Sequence, residues 1–277
     1  MLEDGATGNP PMVLLHGYPA SCCVWRHCMP RLARDFHVFA PDLPGHGKSD
    51  KPLDVRYDLP FLSDFVRDYL TSVGLERIHL VCHDIGALAG LGLVCSHPRH
   101  VVSLVVMDTG PYADWPFMAR ALIRIMKNRW LTSLILNKTV FTWLFRHMVF
   151  ADPNLATPER IALFREPWVE DKISKTAFRR TIDVPPEQVA PPEEKLKAIN
   201  IPSLILWAAH DGFFPVSIAR RLQQDIPGSI LRIVSGAGHF LQEEKPEEVV
   251  GHIRGFLSSG DTPFSESPKD SAARQAG

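Results

Sequence analysis

Three residues of the chain carry side chains that could act together in catalysis: Asp84, Asp211 and His239. Each stands at the end of a short, mainly apolar segment, namely RIHLVCHD, SLILWAAHD and SILRIVSGAGH. A carboxylate can attack a carbon atom, an imidazole can then activate water, and a second carboxylate can orient that imidazole. Each residue alone also fits a structural role, as a helix N-cap, a turn residue or a buried histidine. Their shared position at segment ends favours the catalytic interpretation.

The segments that must position these residues alternate between two patterns. Short runs rich in β-branched residues predict strands at 12–16, 37–42, 77–84, 101–108, 203–211 and 229–239. Helical spacing of apolar residues predicts helices at 59–73, 86–97, 216–225 and 247–257. This alternation predicts an α/β fold, with a mostly parallel sheet that helices cover on both faces. Because parallel strands end at one edge of the sheet, Asp84, Asp211 and His239 are expected to converge there.

A long stretch without strand pattern interrupts the alternation after Tyr112. We predict that residues 113–195 form a helical cap inserted between two parts of the core, residues 1–112 and residues 196–258. The remaining residues, 259–277, are rich in Ser, Pro, Asp and Ala, and this composition predicts a disordered tail.

The first part of this predicted cap combines apolar and basic residues. Residues 117–150 contain six Lys or Arg residues and neither Asp nor Glu. A helix that lies on a membrane surface has such a composition. A helical insertion with buried apolar residues and solvent-facing cations is favoured instead, because apolar and basic positions interleave as they do on a core-facing helix.

The overall composition argues against several classes of protein. A formal net charge of −1 over 277 residues gives no reason to expect a nucleic-acid partner. The five cysteines lack the paired spacing of a zinc site, so we expect free thiols in a reducing compartment, with no metal and no cofactor. The acidic, turn-rich start does not resemble a signal peptide, and the longest apolar run, residues 85–95, is too short to span a membrane. A cytoplasmic protein is expected, and its oligomeric state is left open.

Five spaced motifs together resemble the α/β-hydrolase family over roughly residues 12 to 258. They are His16-Gly17-Tyr18-Pro19, DLPGHGKSD at 42–50, Cys82-His83-Asp84-Ile85-Gly86, HDGFFP at 210–215 and GAGHFLQEEKPEEV at 236–249. The resemblance implies that nucleophile, acid and histidine follow in this order as Asp84, Asp211 and His239. Only eleven residues precede the strand at Met12, where family members usually have two further strands, so a shortened N-terminal sheet edge is expected.

The nucleophile position departs from the commonest family pattern, because Asp84 replaces serine and Cys82 replaces the first glycine. A carboxylate that attacks an ester carbonyl would form an anhydride, which is a poorer intermediate than the ester itself. Against a saturated carbon with a leaving group it forms a stable alkyl ester, which water can hydrolyse with His239 as base. The resemblance to the aspartate-nucleophile branch implies the same chemistry, since that branch holds haloalkane dehalogenases, haloacetate dehalogenases and epoxide hydrolases.

The family resemblance also implies an oxyanion hole and leaves a second acid open. The backbone N–H groups of Tyr18 and Ile85 are expected to stabilise the oxyanion formed on the Asp84 carboxyl. Asp108, in VVMDTGPY, follows the strand after the nucleophile, and some members of the branch use an acid there. Asp211 is favoured as the acid because HDGFFP matches the usual acid loop, while Asp108 remains the alternative.

The leaving group separates the candidate functions for this small-molecule hydrolase. Epoxide hydrolases resemble one another in using cap tyrosines as proton donors, and residues 113–195 contain no tyrosine. A halide needs N–H donors in an apolar pocket, and Trp115, Trp143 and His147 are candidate pocket residues of this kind, although Ile85 and Tyr18 replace the usual halide clamp. A hydrolytic dehalogenase of a small organohalide is therefore narrowly favoured over an epoxide hydrolase. A catalytically silent ligand-binding protein with this fold is the second alternative.

Overall fold

The computed structural model describes residues 1–258, and these residues contain one seven-stranded sheet. The strands are β1 (Leu2–Asp4), β2 (Pro11–Leu15), β3 (His37–Ala40), β4 (Ile78–His83), β5 (Val101–Met107), β6 (Ser203–Ala208) and β7 (Ile230–Val234). They lie in the order β1-β3-β2-β4-β5-β6-β7 across the sheet. β1 pairs with β3 in the antiparallel direction, whereas the other neighbouring pairs are parallel. The mostly parallel sheet predicted from the sequence is confirmed.

The three strands β4, β5 and β6 consist of buried residues only. Apolar residues face one another across the register, so that Val81 pairs with Val105 and Val105 pairs with Leu204. Strands that are buried on both faces form continuous apolar runs, which is why these segments are recognisable in the sequence. The polar residues that follow β4 and β6 therefore emerge from the interior at one edge of the sheet.

The helices divide into those that flank the sheet and those that lie between β5 and β6. In chain order they are α1 (Met29–Leu32), α2 (Leu59–Ser72), α3 (Ile85–Ser96), α4 (Phe117–Lys127), α5 (Arg129–Ile135), α6 (Lys138–Leu144), α7 (Pro158–Val169), α8 (Lys172–Arg180), α9 (Pro186–Val189), α10 (Glu193–Leu196), α11 (Val216–Asp225), α12 (Leu241–Glu244) and α13 (Pro246–Ser258). We call α4 to α10 the cap helices. Both predicted patterns, the core helices and the helical stretch without strands, appear among the described residues.

Side chains at the N-cap positions explain why the cap breaks into short helices. The side-chain oxygens of Asn128, Asn137, Thr157 and Asp171 accept hydrogen bonds from backbone N–H groups at the starts of α5, α6, α7 and α8, respectively. Such caps satisfy N–H groups that have no partner inside the helix. Each N-cap residue therefore fixes the point at which a new helix begins. The chain can change direction at these points, which lets the cap helices fold over the edge of the sheet.

Two sets of polar contacts join the cap helices to the core. The indole N–H of Trp168 on α7 donates to the carbonyl of Pro19 at 2.7 Å. The buried carboxylate of Glu243 pairs with Arg26 of the core and with Arg160 on α7, the latter at 3.3 Å. Glu243 lies only four residues after His239, so this ion-pair cluster also fixes the loop that carries the candidate base.

Two short elements were not expected from the sequence, and one predicted segment lies outside the described residues. The start of the chain, treated as turn-rich, forms the short strand β1, and the four-residue helix α1 was not predicted. No helix among residues 1–258 combines the length and the apolar character that crossing a bilayer requires. The predicted disordered tail, residues 259–277, lies outside the described residues.

We expect that Arg26→Met lowers the free energy of unfolding by about 3 kcal/mol, because it leaves the buried Glu243 carboxylate with one cation instead of two. Urea denaturation followed by circular dichroism measures this loss. Arg99→Met, at an exposed arginine, is the matched control and should change stability little. Adding Glu243→Gln to Arg26→Met should recover part of the loss, since the unpaired charge is then absent. Equal stability of the Arg26 and Arg99 variants would contradict the prediction.

Candidate active site

Asp84 lies at the turn between β4 and α3, where the backbone has a positive φ of 51°. A non-glycine residue in this region is strained, so the surroundings must hold it there. Gly17 and Gly86 make the turn possible because the chain passes closely on both sides. A Cβ atom at Gly17 would lie 2.5 Å from the Asp84 Cβ, and one at Gly86 would lie 2.4 Å from the carbonyl oxygen of His16.

Cys82 occupies the position where the family usually has its first glycine. Its Sγ is buried and donates to the carbonyl of Val105 at 3.2 Å. A Cβ atom at Gly90 on α3 would approach this Sγ to 3.0 Å. The thiol is therefore accommodated because the facing residue of the helix has no side chain.

The Asp84 carboxylate is held by backbone donors. The N–H of Tyr18 donates to its Oδ1 at 2.8 Å, and the N–H of Ile85 also favours the charged form of this carboxylate. The Thr109 hydroxyl donates to the backbone carbonyl of Asp84 at 2.8 Å. Burial raises the pKa of the Asp84 carboxyl, and although His239 and the two N–H groups oppose this effect, the pKa stays above its ordinary value. The N–H groups of Tyr18 and Ile85 are the two that the family resemblance implies for an oxyanion hole, and that role stays a prediction.

His239 connects the other two residues of the set. Its Nδ1 lies 2.9 Å from Oδ2 of Asp211, and its Nε2 lies 3.6 Å from Oδ2 of Asp84. The first distance is a hydrogen bond, whereas the second is too long for one and leaves the imidazole free to meet a water molecule. Burial opposes the charged imidazole, but the carboxylates of Asp211 and Asp84 outweigh it and raise the pKa of His239 above 6.5. The structure thus brings Asp84, His239 and Asp211 together.

The backbone around His239 is anchored by two contacts that sequence reasoning did not find. The N–H of His239 donates to the carbonyl of Val149, which belongs to the chain between α6 and α7. The Nε2–H of His83 donates to the carbonyl of His239 at 2.7 Å. Burial lowers the pKa of His83 well below 6.5, so this ring stays neutral and acts only as a donor. Its place directly before the nucleophile is the only signal that could have indicated it.

Asp108 lies beside the Asp211–His239 pair but makes different contacts. Its backbone has a φ of 31°, and its Oδ1 accepts the N–H of Ala208 at 3.0 Å. Burial and the neighbouring Asp211 carboxylate raise the pKa of Asp108 well above its ordinary value. Asp211 instead accepts the N–H groups of Phe213 and Phe214 at 2.7 and 3.1 Å. Asp211 is therefore the acid that contacts Nδ1 of His239, and burial favours the protonated form of Asp108 beside it.

A cavity of about 130 Å³ opens between the Asp84 carboxylate and the cap helices. Among its described lining residues, the titratable side chains are those of Asp84, His239 and Tyr18. The cap contributes apolar side chains to the wall, mainly Leu122, Ile123, Met126, Ile135, Phe141 and Leu144. The arrangement can bind an uncharged, apolar molecule and present one of its carbon atoms to the carboxylate.

The predicted pocket residues of the cap are placed differently from expectation. Trp115 borders the cavity, but its indole N–H donates to the carbonyl of Gly110 at 2.7 Å. Trp143 and His147 are exposed, with ring centroids 5.1 Å apart, and neither borders the cavity among the described residues. The prediction that these two line the pocket is corrected, because α6 turns the other side of its surface, with Phe141 and Leu144, inward.

Tyr18 contributes more to the cavity than its backbone. Its ring borders the cavity, and its hydroxyl donates to the carbonyl of Phe178 on α8 at 3.2 Å. Burial and the Asp84 charge raise the pKa of Tyr18 well above 10, so the phenol keeps its proton. The hydroxyl of Tyr112, just before the cap segment, donates to Asp225 at 2.7 Å.

Within residues 1–258, no group of three or more His, Cys, Asp or Glu side chains could hold a metal ion.

Comparison with known proteins extends over most of the chain. The model of the alpha/beta hydrolase family matches residues 12–252. Epoxide hydrolase 3 of Xenopus tropicalis is 28% identical over 280 residues, which cover 92% of this chain and 73% of the relative. The crystal structure of Cfl2 from Burkholderia cenocepacia has a TM-score of 0.80 at 24% identity, with 92% of this chain and 90% of that chain covered. Haloalkane dehalogenase DbeA from Bradyrhizobium elkani has a TM-score of 0.75 at 23% identity, with 93% and 94% covered.

The two acids beside His239 can be distinguished by nuclear magnetic resonance titration of its imidazole. Asp211→Asn should bring the pKa of His239 below 6.5. Burial disfavours the charged imidazole, and the substitution removes the negative charge that opposes this effect. Asp108→Asn should leave this pKa above 6.5, since burial already favours the neutral form of the Asp108 carboxyl group. The two substitutions change the same atoms on neighbouring strands, so each is a control for the other. A larger fall in the Asp108 variant would identify Asp108 as the charged partner.

Proposed function

The chain belongs to the alpha/beta hydrolase family, and within this family we propose that it hydrolyses a small apolar electrophile through an ester on Asp84. The observation that carries the proposal is a carboxylate at the turn after β4, with backbone donors on it and an imidazole nearby. A hydroxyl nucleophile would suit ester substrates, but a carboxylate suits saturated carbon. The identity of the side chain at position 84 therefore selects the reaction.

The first step forms the covalent intermediate. Oδ2 of Asp84 is the carboxylate oxygen that lies near Nε2 of His239. This oxygen attacks a saturated carbon of the substrate. The bond from that carbon to its leaving group breaks, and the electron pair departs with the leaving group. An alkyl ester on Asp84 remains. Burial of the carboxylate supports this step, because it removes the water that would otherwise solvate the attacking oxygen.

The second step releases the product. His239 takes a proton from water through Nε2, and the oxygen of that water attacks the carboxyl carbon of Asp84. The tetrahedral oxyanion forms where the N–H groups of Tyr18 and Ile85 already point. The ester bond to the alkyl oxygen then breaks, and the imidazolium returns its proton to the departing alcohol. Asp84 is regenerated with one oxygen from water, and Asp211 stabilises the imidazolium in between.

The cavity supports a small and uncharged substrate. Its volume of about 130 Å³ is close to that of an engineered apolar cavity that holds benzene. No Lys or Arg side chain borders it among the described residues, so a substrate carboxylate would have no partner. This composition argues against haloacetates and favours uncharged, lipophilic molecules.

For the leaving group, the contacts of the donors support an epoxide more than a halide. Of the indoles that favoured a halide in the sequence, Trp115 donates to the carbonyl of Gly110 and Trp143 is exposed outside the cavity. The phenol of Tyr18 borders the cavity and keeps its proton, and it would have to exchange its contact with the Phe178 carbonyl for the substrate oxygen. An epoxide oxygen needs such a proton as the ring opens. The likeness to an epoxide hydrolase from Xenopus tropicalis is consistent with this choice.

A hydrolytic dehalogenase is the second candidate, and one observation favours it. Epoxide hydrolases resemble one another in presenting tyrosines from the cap, whereas Tyr18 belongs to the core loop after β2. A halide leaves without a proton, so an apolar cavity with a carboxylate at its end would suffice for a reactive organohalide. The two candidates share both steps on Asp84. They differ in the first step, because a halide leaves the substrate, whereas the epoxide oxygen stays bonded to the neighbouring carbon and takes up a proton.

The ester on Asp84 can be tested with isotopically labelled water. A single turnover in ¹⁸O water should place the label in the peptide that contains Asp84, because water attacks the carboxyl carbon and not the substrate. His239→Asn should allow the ester to form but not to hydrolyse, so intact-protein mass should increase by the alkyl group. Asp84→Asn is the control that should show neither signal. Absence of both signals across panels of epoxides and organohalides would support the catalytically silent alternative.

The leaving group can be tested by measuring diol formation and halide release side by side with Tyr18→Phe. This substitution keeps the backbone N–H in the oxyanion hole and removes only the phenolic proton. If the substrate is an epoxide, the rate of ester formation should fall about 100-fold or more. If it is a halide, that rate should stay within a few-fold of the wild type. Thermal unfolding of the variant controls for the lost contact with Phe178.

A further inference from the structure

The outer surface of α4, α5 and α6 exposes an unusual number of large apolar side chains. Among the described residues, eleven large hydrophobic side chains are exposed, and seven of them belong to these three helices. We call these seven the cap patch: Phe117, Met118, Ile125, Trp130, Leu131, Leu134 and Trp143. Phe117 is 74% exposed and Trp130 is 76% exposed. Exposed apolar patches of this kind mark interaction sites.

The charge of the same segment has one sign. Residues 115–151 contain six Lys or Arg residues and no acidic residue, so they carry a formal charge of +6. Because the whole chain has −1, the remaining residues carry −7. Arg120 and Arg124 are exposed on α4, and neither has an ion-pair partner within residues 1–258. Arg129 lies over the ring of Trp130, with its guanidinium carbon 5.0 Å from the ring centroid.

The exposed residues of the cap patch are different residues from those that border the cavity on the same helices. On α4, Leu122 and Met126 border the cavity, whereas Met118 and Ile125 are exposed. On α5, Ile135 borders the cavity and Leu134 is exposed. Folding of the core and cavity needs apolar residues on the inner faces only. The outer apolar residues therefore require a partner of their own.

We propose that the cap patch docks on the surface of a bilayer that contains anionic phospholipids. Peripheral membrane helices combine exposed Trp, Phe and Leu side chains with Lys and Arg in this manner. The apolar side chains enter the boundary between headgroups and acyl chains, and the cations pair with anionic headgroups. Tryptophan is suited to this boundary because its ring is apolar and its N–H is polar. No helix crosses the bilayer in this arrangement; the protein lies on one leaflet.

A second copy of the chain fits the cap patch less well than a bilayer. In a two-fold symmetric dimer, the same surface of both copies would meet, and two segments of +6 would face each other. The centres of protein interfaces are also depleted of charged residues, whereas here cations lie between the apolar side chains. An anionic bilayer accommodates both features at once, since its charge is complementary and its surface can adapt to the cations.

The docked orientation would place the cavity close to the bilayer. The inner faces of α4, α5 and α6 border the cavity, so these helices alone would separate it from the lipid. A lipophilic substrate dissolved in the bilayer would then have a short path to Asp84. This consequence rests on the proposed function, whereas docking itself rests only on the cap patch and its charges.

Vesicle sedimentation tests the docking with the full chain and no substrate. The wild-type protein should bind vesicles of phosphatidylcholine mixed with phosphatidylglycerol and should bind those of phosphatidylcholine alone much more weakly. Arg120→Gln with Arg124→Gln should weaken the partition coefficient about 30-fold, from the typical contribution of two cations near an anionic surface. Trp130→Ser with Leu134→Ser should weaken it at least about tenfold through lost apolar burial.

Matched controls separate the cap patch from general effects of charge and hydrophobicity. Arg99→Gln with Arg220→Gln changes the net charge by the same amount as the double arginine variant of the cap patch, at exposed sites outside the cap helices. Leu53→Ser removes an exposed leucine that lies outside the cap helices. These controls should bind like the wild type, and circular dichroism should show that all variants are folded. No binding to anionic vesicles, or equal losses in patch and control variants, would overturn the proposal. Self-association that Trp130→Ser abolishes, without vesicle binding, would overturn it in favour of a protein interface.

Discussion

The position of one partly buried carboxylate at a strained turn is the constraint on which the rest of the site depends. Asp84 lies at a backbone angle that only a crowded turn can maintain, and Gly17 and Gly86 provide the space for that crowding. Two backbone N–H groups and one imidazole face its carboxylate, while the rest of the cavity is apolar. These few polar partners can stabilise the carboxylate without preventing it from reacting. Most other features of the site can be understood as support for this balance.

The cap helices serve the same balance from the other side. Their inner faces border the cavity beside Asp84, and contacts with the core at Pro19, Glu243 and Tyr18 hold them in place. A contact between Val149 and the backbone of His239 joins the cap to the base itself. Closing the cap and positioning the imidazole are thus parts of one set of interactions, and the outer faces of α4 to α6 are left free for a different partner.

Much of the fold could be predicted because β4, β5 and β6 are buried on both faces and their sequences are continuous apolar runs. β1 escaped prediction because it has three residues, two of them acidic, and its pairing with β3 depends on distant residues. Residue type indicated the convergence of Asp84, Asp211 and His239, but not the pocket. Whether an indole N–H faces a cavity depends on which carbonyl oxygen is nearest, as the contacts of Trp115 and Trp168 illustrate. The basic, apolar segment at 117–150 was ambiguous for a related reason: its helices are apolar on two faces, and periodicity alone does not tell which face is covered.

The pair of acids near His239 illustrates how backbone donors decide a role that residue type leaves open. β5 and β6 are neighbours in register, with Met107 opposite Leu206, so acids just beyond their ends lie close together. Two carboxylates so close cannot both be charged at little cost. The loop after β6 offers two N–H groups to Asp211, whereas the end of β5 offers Asp108 only one, from Ala208. Asp211 is therefore the acid with two backbone donors and the contact to His239, whereas burial and the neighbouring Asp211 favour the protonated form of Asp108. In this chain the acid that contacts the histidine is the one whose own loop offers it more backbone N–H groups.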